Sequence, residues 1–242
     1  MPKTAGILLV GNEILSGKIQ DANAAYLCRE LRALGVDVRR IAVIPDEVGL
    51  IADEVTAFSR DFDVVFTSGG VGPTHDDVTI EGVARAMGVP VVRHPTLVDL
   101  LQRHFQGRAT DAHLKMAEVP EGAELVTGGT IRFPTLLMRN VWILPGVPEI
   151  FRQKFEAIRE RFRDEPIHLC NVFVRMSEGT LADYLNRLLA DFPLLLLGSY
   201  PEFSNPEYQV KVTLESRDRD YLARARAGFL ARLPADAVVK VT

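Results

Sequence analysis

The sequence has little cysteine, no long apolar run and no surplus of charge of one sign. Of its 242 residues two are cysteines, and because neither Cys28 nor Cys170 has the spacing of a metal ligand, we expect both to be reduced and buried, as in a cytosolic protein. No apolar run approaches the roughly 20 residues of a membrane span, and the first residues lack a signal-peptide pattern. We therefore expect a cytoplasmic protein without a membrane segment.

The charges are nearly balanced, with 28 basic and 32 acidic residues and a net charge of −4. Divided at residue 163, both parts have a net charge near −2. Since no basic lobe exists to hold phosphate backbones, nucleic acid is not an expected partner. The content of hydrophobic residues, 47%, is that of a globular chain and excludes a disordered one.

Strand patterns alternate with helical patterns through the first 163 residues. The alternating segments are 5–10, 21–34, 36–44, 46–58, 62–67 and 80–88. Helical patterns return at 95–106, 110–117 and 148–162, with a strand pair at 131–144. This order is typical of a mostly parallel sheet with helices on both faces, an α/β fold.

From residue 164 the pattern changes to strand, helix, strand, strand, helix, strand. That order predicts a small ferredoxin-like α+β domain. We place the boundary at Asp164-Glu165-Pro166, which divides the chain into domains 1–163 and 164–242.

Unusual residues follow four predicted strands. They are Gly11-Asn12-Glu13-Ile14-Leu15-Ser16-Gly17, Pro45-Asp46-Glu47, Ser68-Gly69-Gly70-Val71-Gly72-Pro73-Thr74-His75-Asp76-Asp77 and Leu144-Pro145-Gly146-Val147-Pro148-Glu149. Because parallel strands bring their carboxyl ends to one edge of the sheet, where ligands bind in such folds, we expect all four segments to line one site.

The third segment carries the strongest signal. Its glycines let backbone N–H groups approach a ligand, and the helix that follows begins with partial positive charge, which suits a phosphate. Two interpretations of Asp76 and Asp77 are open: with a divalent cation they form part of the site, or one of them caps the helix. We expect Gly70→Val to weaken ligand binding more than folding.

The other segments leave similar alternatives. Asp46 is either a helix cap or a site residue, and Pro145–Pro148 is either a turn or a second helix start facing a phosphate. Glu13 either reaches the pocket or is simply exposed, and His75 could be a ligand or a base. Either Arg132 or Arg139 could reach a phosphate, although solvated arginines on a strand face are commoner.

These motifs resemble a known family. Thr67–Thr79 together with Leu144–Pro148 resemble the molybdopterin-binding fold of the MoaB/Mog group. Gly11–Gly17 and the Gly-Pro-Thr-His-Asp-Asp form of the loop are similar to the N-terminal domain of the competence/damage-inducible protein CinA and to the molybdopterin-binding-like domain of eukaryotic FAD synthase. Two segments, Arg132-Phe133-Pro134 and Arg139-Asn140-Val141, look more like the FAD-synthase type than the CinA type, and Gly198-Ser199-Tyr200-Pro201 matches a second-domain loop of both.

The resemblance implies a three-layer α/β/α domain that binds a pterin phosphate or a nucleotide. It implies catalytic roles for Asp77 and Asp46 and a site for Mg²⁺, Mn²⁺ or Co²⁺ at Asp77, Asp46 and Asp76. The ligand-binding residues it implies are Gly11, Asn12, Glu13, Ser16, Gly17, Ser68, Gly69, Gly70, Val71, Gly72, Pro73, Thr74, Pro145, Gly146 and Pro148. Relatives suggest a homo-oligomer, either a dimer or a trimer.

Three functions agree with these residues. The first is metal-dependent hydrolysis of an ADP-containing pyrophosphate such as ADP-ribose or FAD, the activity credited to the CinA and FAD-synthase branches. The second is binding or adenylylation of molybdopterin, and the third is ligand binding without catalysis. The sequence ends at Thr242 and has no counterpart of the CinA amidase or of the adenylyltransferase that makes FAD, so neither activity is expected of it.

Overall fold

The computed structural model describes residues 2–128 and 133–242. Arg132, one of the two arginines predicted to reach a phosphate, lies outside the described residues. The chain divides into two compact units, one ending at Asp164 and the other beginning at Glu165. In the described part of the chain no helix combines the length and apolar character that a membrane span needs.

The first unit alternates strands and helices. Its elements are β1 (Thr4–Val10), α1 (Asn12–Leu15), α2 (Asn23–Ala33), β2 (Asp37–Ile44), α3 (Val48–Asp61), β3 (Val64–Ser68), α4 (Thr79–Met87), β4 (Val91–Arg93), α5 (Pro95–His104), α6 (Asp111–Lys115), β5 (Glu118–Pro120), β6 (Glu124–Val126), β7 (Thr135–Met138), β8 (Val141–Leu144) and α7 (Pro148–Ile158), followed by a 3₁₀ turn, Arg159–Phe162.

Six of these strands form one sheet in the order β2-β1-β3-β8-β7-β6. The pairs β1–β2, β1–β3 and β3–β8 are parallel, whereas β7 pairs antiparallel with both β8 and β6. The prediction of a mostly parallel sheet is confirmed. The carboxyl ends of β1, β3 and β8 therefore lie side by side, and β2 lies at the outer edge.

Two separate cores cover the two faces of this sheet. Ile7 and Leu9 of β1 face α2 and α7, where they pack against Leu27 and Phe155. The alternate residues of β1 face α3, α4 and α5 in the second core; its members include Leu8, Val10, Ile51, Val83 and Leu97. Successive side chains of β1 thus point to opposite faces of the sheet, and each face packs against its own layer of helices. The unit is therefore the three-layer α/β/α fold that the resemblance implies.

The second unit contains β9 (His168–Val174), α8 (Glu178–Asp191), β10 (Leu196–Pro201), β11 (Val210–Ser216), α9 (Arg219–Arg232) and β12 (Val238–Val241). Its strands pair antiparallel in the order β10-β11-β9-β12. This is the predicted ferredoxin-like arrangement. Gly198–Pro201, matched above to a loop, instead belongs to β10, because these residues pair with β11.

Both cysteines are free, as predicted. Cys170 is buried in the core of the second unit, whereas Cys28 on α2 is only partly buried. Burial raises the pKa of both thiols.

Candidate functional site

A cavity of about 960 Å³ opens at the edge of the first sheet where β1, β3 and β8 end. Three of the four predicted segments line it. The predicted ligand-binding residues among its walls are Glu13, Ser68, Gly69, Gly70, Val71, Gly72, Pro145, Gly146 and Pro148, and Asp77 and His75 join them. The parallel strand ends therefore meet as expected at one concave site.

The Gly69–Gly72 loop is held against the start of α4. The Thr79 hydroxyl donates to the Gly69 carbonyl over 2.8 Å, and the Thr79 N–H donates to the Gly70 carbonyl over 2.9 Å. Gly69 and Gly70 have φ values of 104° and 64°, a region that favours glycine. Because Ile80 and Glu81 in the first turn of α4 also line the cavity, the helix presents its N-terminus to the cavity.

Asp77 lies against this loop and does not cap α4. One carboxylate oxygen, Oδ2, accepts hydrogen bonds from the Thr74 N–H, at 2.8 Å, and from the Thr74 hydroxyl. The helix begins at Thr79, and Val78, which makes no side-chain cap, is its N-cap residue. The interpretation of Asp76 or Asp77 as the helix cap is therefore wrong. Asp77 instead closes the 74–77 turn and faces the cavity.

Asp46 is placed differently from the prediction that it lines the site with Asp77. It follows β2, at the sheet edge two strands away from β3, and it is not among the cavity walls. Its Oδ2 accepts the backbone N–H of Asn12 over 2.8 Å. It does not cap α3 either, since that helix begins at Val48 with Glu47 as N-cap. Asp46 thus fixes the start of α1, which carries Glu13 into the cavity.

The segment after β8 and the loop after β3 touch each other. A Cβ built on Gly146 would lie 3.3 Å from the Gly69 Cα atom. Asn23, only 3% exposed, joins the two loops, because its Nδ2 donates to Ser68 Oγ over 2.9 Å and to the Gly146 carbonyl over 2.8 Å. The α7 helix begins at Pro148, as predicted, so a second helix N-terminus faces the cavity.

Several predicted residues are outside the cavity walls. They are Gly11, Asn12, Ser16, Gly17, Pro73, Thr74, Asp46 and Asp76. Asp76 is exposed, and Thr74 acts on the cavity through its hydrogen bonds to Asp77 and through its carbonyl, which accepts from Lys115. Arg139 is also exposed, in the turn between β7 and β8, and donates to the Met87 carbonyl at 3.4 Å. Its prediction as a phosphate ligand is not supported by this position.

Comparison with known proteins shows to which family this chain belongs. The family model "Probable molybdopterin binding domain" matches residues 6–164, and "FAD synthase, middle domain" matches residues 166–242. The chain belongs to the molybdopterin-binding domain family. The molybdopterin-binding-like unit carries the cavity, and the FAD-synthase-type unit is the ferredoxin-like one.

Relatives of this family member include whole chains of similar length and parts of longer ones. An Archaeoglobus fulgidus protein is 39% identical over 92% of this chain and 95% of its own length. A "Probable FAD synthase" of Caenorhabditis elegans is 32% identical over 90% of this chain, which spans only 47% of that protein. A crystal structure of the protein CinA from Thermoplasma acidophilum, whose function is given as unknown, superposes with a TM-score of 0.61 at 31% identity, over 66% of this chain and 98% of that one.

Two lysines of the molybdopterin-binding-like unit line the cavity although neither was predicted. Lys115 at the end of α6 donates to the Thr74 carbonyl, which ties α6 to the turn that holds Asp77. Lys154 on α7 donates to the Phe133 carbonyl over 2.8 Å and to the Pro134 carbonyl over 2.6 Å. Burial lowers the pKa of Lys154 to about 8. No local motif marks either residue, since each reaches the cavity through contacts distant in the sequence.

The metal that the resemblance implies fits only part of this site. In residues 2–128 and 133–242 no group of three or more His, Cys, Asp or Glu side chains is arranged to hold a metal ion. Of the three predicted ligands, only Asp77 lines the cavity. Mg²⁺ at nucleotide sites is usually bound by one or two carboxylates together with substrate phosphates and water. Asp77 therefore fits a cation that binds with a phosphorylated ligand, and the site does not fit a cation held by all three aspartates.

The charges of the cavity agree with such a cation. Among the described residues, five carboxylates and two lysines line it: Glu13, Asp21, Asp77, Glu81, Glu118, Lys115 and Lys154. An anionic phosphate placed among a majority of carboxylates is repelled unless a cation accompanies it. The helix N-termini at α4 and α7 reduce that repulsion only locally.

Proposed function

We propose that the cavity binds an ADP-containing pyrophosphate, such as ADP-ribose or FAD, and hydrolyses it together with a divalent cation. The observation that carries this proposal is the contact between a phosphate-type loop and a cavity-facing carboxylate. A Cβ built on Gly72 would lie 2.6 Å from Asp77 Oδ2, so the bare backbone of the loop and the Asp77 carboxylate occupy the same corner. A cavity of about 960 Å³ is also large enough for a dinucleotide.

Each residue has a defined part in this proposal. The Gly69–Gly72 backbone and the start of α4 bind one phosphate, and the Pro145–Pro148 segment at the start of α7 binds the neighbouring one. Asp77 orients the cation against the phosphates, while Lys115 and Thr74 hold the turn that carries Asp77. A bound divalent cation polarises a phosphoryl oxygen and lowers the pKa of a water molecule.

A second candidate is binding without hydrolysis, with a pterin phosphate such as molybdopterin as the ligand. It is favoured by the position of Asp46, because this carboxylate accepts the Asn12 N–H and is not among the described residues that line the cavity, so nothing there supports a second metal ligand beside Asp77. Adenylylation of molybdopterin would use the same phosphate loops, but it also needs a nucleotide as the adenylyl donor.

The test is a hydrolysis screen of ADP-ribose, FAD and NAD with Mg²⁺, Mn²⁺ and Co²⁺, repeated with Asp77→Asn. An asparagine keeps the acceptor for the Thr74 N–H but removes the charge. We expect the variant to fold normally and to lose at least 100-fold in turnover, about 2.7 kcal/mol, with partial recovery at high metal concentration.

Asp76→Asn is the matched control, because it removes the same charge one residue away from an exposed position outside the cavity walls. We expect it to behave like the wild type. If wild-type protein hydrolyses none of these compounds but binds them, binding without hydrolysis is the better description.

A further inference from the structure

Lys154 is a charged side chain in a buried position at the cavity wall. It lies on α7 and is only 8% exposed, and the other buried residues of that helix are Phe151, Phe155 and Ile158. The rise of an α-helix places it about 9 Å along α7 from Pro148, where the helix begins. It is therefore at a different point of the cavity from the loop segment Pro145–Pro148.

The contacts of Lys154 leave its charge uncompensated. Its Nζ donates to the carbonyls of Phe133 and Pro134 and lies 5.5 Å from the centre of the Phe133 ring. These groups are neutral and satisfy at most part of an ammonium with three donors. In the part of the chain that the structure describes, no carboxylate forms an ion pair with it, although ion pairs within 4.0 Å are present elsewhere.

Buried charges in proteins are normally paired, since transfer of a lone ammonium from water to an apolar site is unfavourable. The lowered pKa of Lys154, about 8, has burial as its cause. If its role were only to hold the 133–134 segment, a neutral hydrogen-bond donor would do so without a buried charge. The missing negative charge is therefore expected to come from outside the chain.

We propose that Lys154 binds an anionic oxygen of the ligand, such as a phosphate oxygen, at a subsite separate from the Gly69–Gly72 loop. The inference rests on the proposed function only in using the same cavity, and it does not require hydrolysis. The other charged or titratable groups that line the cavity are Glu13, Asp21, His75, Asp77, Glu81, Lys115 and Glu118.

The test is calorimetric titration of the full chain with ADP-ribose, FAD and inorganic pyrophosphate at pH 8, once with EDTA, so that no hydrolysis occurs, and once with Mg²⁺, so that a cation accompanies the anion. Each titration is run in two buffers of different ionisation enthalpy, which yields the number of protons taken up. Since a group with a pKa of about 8 is half protonated at that pH, an anion bound beside Lys154 should draw in up to about half a proton.

Three variants separate this subsite from a structural role. Lys154→Met should weaken binding at least tenfold and abolish the proton uptake. Lys154→Arg stays charged at all accessible pH values, so it should bind nearly as well as the wild type but without the uptake. Arg152→Met removes a positive charge from an exposed position of the same helix, outside the cavity walls, and should change neither quantity.

The outcomes distinguish this inference from the proposed hydrolysis. If ligand binding is accompanied by proton uptake that depends on Lys154, the subsite is supported. If the same protein hydrolyses none of the compounds, the pyrophosphatase proposal is contradicted. If the protein hydrolyses these compounds but takes up no proton when they bind, the Lys154 subsite is overturned and the hydrolysis proposal stands. Failure of all three probes to bind the wild type both with EDTA and with Mg²⁺ overturns it as well. Should Lys154→Met not fold, loss of uptake in Lys154→Arg with affinity retained still supports the subsite, and retained uptake contradicts it.

Discussion

Gly70 and Gly72 are two residues apart in one loop, but the structure needs them for different reasons. A Cβ built on Gly70 would lie 2.3 Å from the Thr79 hydroxyl oxygen, and its φ is positive. Gly70→Val therefore strains the attachment of the loop to α4, and we expect it to cost about 1–3 kcal/mol of stability. The expectation that this substitution would affect ligand binding more than folding is corrected on this ground.

Gly72 is the position at which a substitution tests the site itself. Its added Cβ would meet the end of the Asp77 side chain at 2.6 Å, and a carboxylate can move where a backbone cannot. We expect Gly72→Ala to change the free energy of unfolding by less than about 0.5 kcal/mol and to weaken ADP-ribose binding with metal at least tenfold, about 1.4 kcal/mol. Chemical denaturation and calorimetry measure the two effects.

Gly49→Ala on α3 is the control for Gly72→Ala, because its added Cβ would have nothing nearer than Arg85 Nη1 at 4.0 Å. A Gly72→Ala protein with wild-type affinity would show that the position of Asp77 against the loop does not matter for the ligand.

Lys154 also makes stability depend on pH. Its pKa is about 8 in the folded chain and 10.5 in the unfolded one, so below pH 8 both states are protonated and the cost of burial is present in full. Between pH 8 and 10.5 the unfolded state binds more protons, and stability rises with pH, by up to about 3 kcal/mol. We expect this rise in the wild type, and its loss in Lys154→Met, when urea unfolding is followed from pH 7 to 10.5. If the free energy of unfolding changed with pH equally in the two proteins, Lys154 would not be a buried group with a lowered pKa.

At the scale of elements, Asn23 at the start of α2 links the ends of β3 and β8. Its side chain is the donor to both loops, and its own Oδ1 has no hydrogen-bond partner among the described residues. We expect Asn23→Ala to destabilise the protein by about 1–3 kcal/mol, since the buried Ser68 hydroxyl and the partly buried Gly146 carbonyl both lose their donor. It should also weaken ligand binding, because both loops face the cavity.

A matched control exists at the end of β7, where the Asn140 Nδ2 donates to the carbonyls of Ser59 and Phe62 over 3.0 and 2.9 Å. Asn140→Ala removes this pair of bonds, together with the bond that its Oδ1 accepts from the Ser59 hydroxyl, at a position outside the cavity walls. We expect similar destabilisation with unchanged ligand affinity, as read from thermal unfolding and calorimetry. Equal loss of affinity in both variants would mean that Asn23 acts only through overall stability.

Elements with a clear apolar period were predictable from the sequence. The α2, α3 and α4 helices and the strands β1, β2 and β3 lie within two or three residues of their predicted limits. The helices bury one face each, and β1 and β3 are continuous apolar runs buried on both faces. The short α1 helix and β4, β5 and β6 were not predicted, since elements of three or four residues carry no measurable period.

The site was predictable only as far as strand direction determines it. That the ends of β1, β3 and β8 meet follows from parallel order, and so Glu13, Ser68 and Gly146 were found. The order of the strands across the sheet is set by tertiary packing. The sequence therefore could not predict that Asp46, at the end of β2, is outside the cavity walls. Lys154 was missed because its partners lie about 20 residues earlier, on another element.

At the scale of the whole molecule, the two units have separate hydrophobic cores. The ferredoxin-like unit buries its own set around Val172, Leu214 and Phe229, and the cavity-lining residues that the structure describes are all in the other unit. We expect fragments 1–164 and 165–242 to fold when expressed alone, with near-wild-type circular dichroism, and the first to keep the ADP-ribose affinity of the full chain. An unfolded first fragment, or one folded without affinity, would show that the FAD-synthase-type unit contributes to the site.

Each unit also contains one of the two cysteines, Cys28 in the first and Cys170 in the second. Because burial raises the pKa of both thiols, little reactive thiolate forms while the units are closed. Alkylation followed by mass spectrometry therefore follows the two units separately in the unmodified protein, although the rate at the partly buried Cys28 includes its residual exposure as well as opening. A ligand that slows the labelling of Cys28 while leaving that of Cys170 unchanged would stabilise the first unit alone.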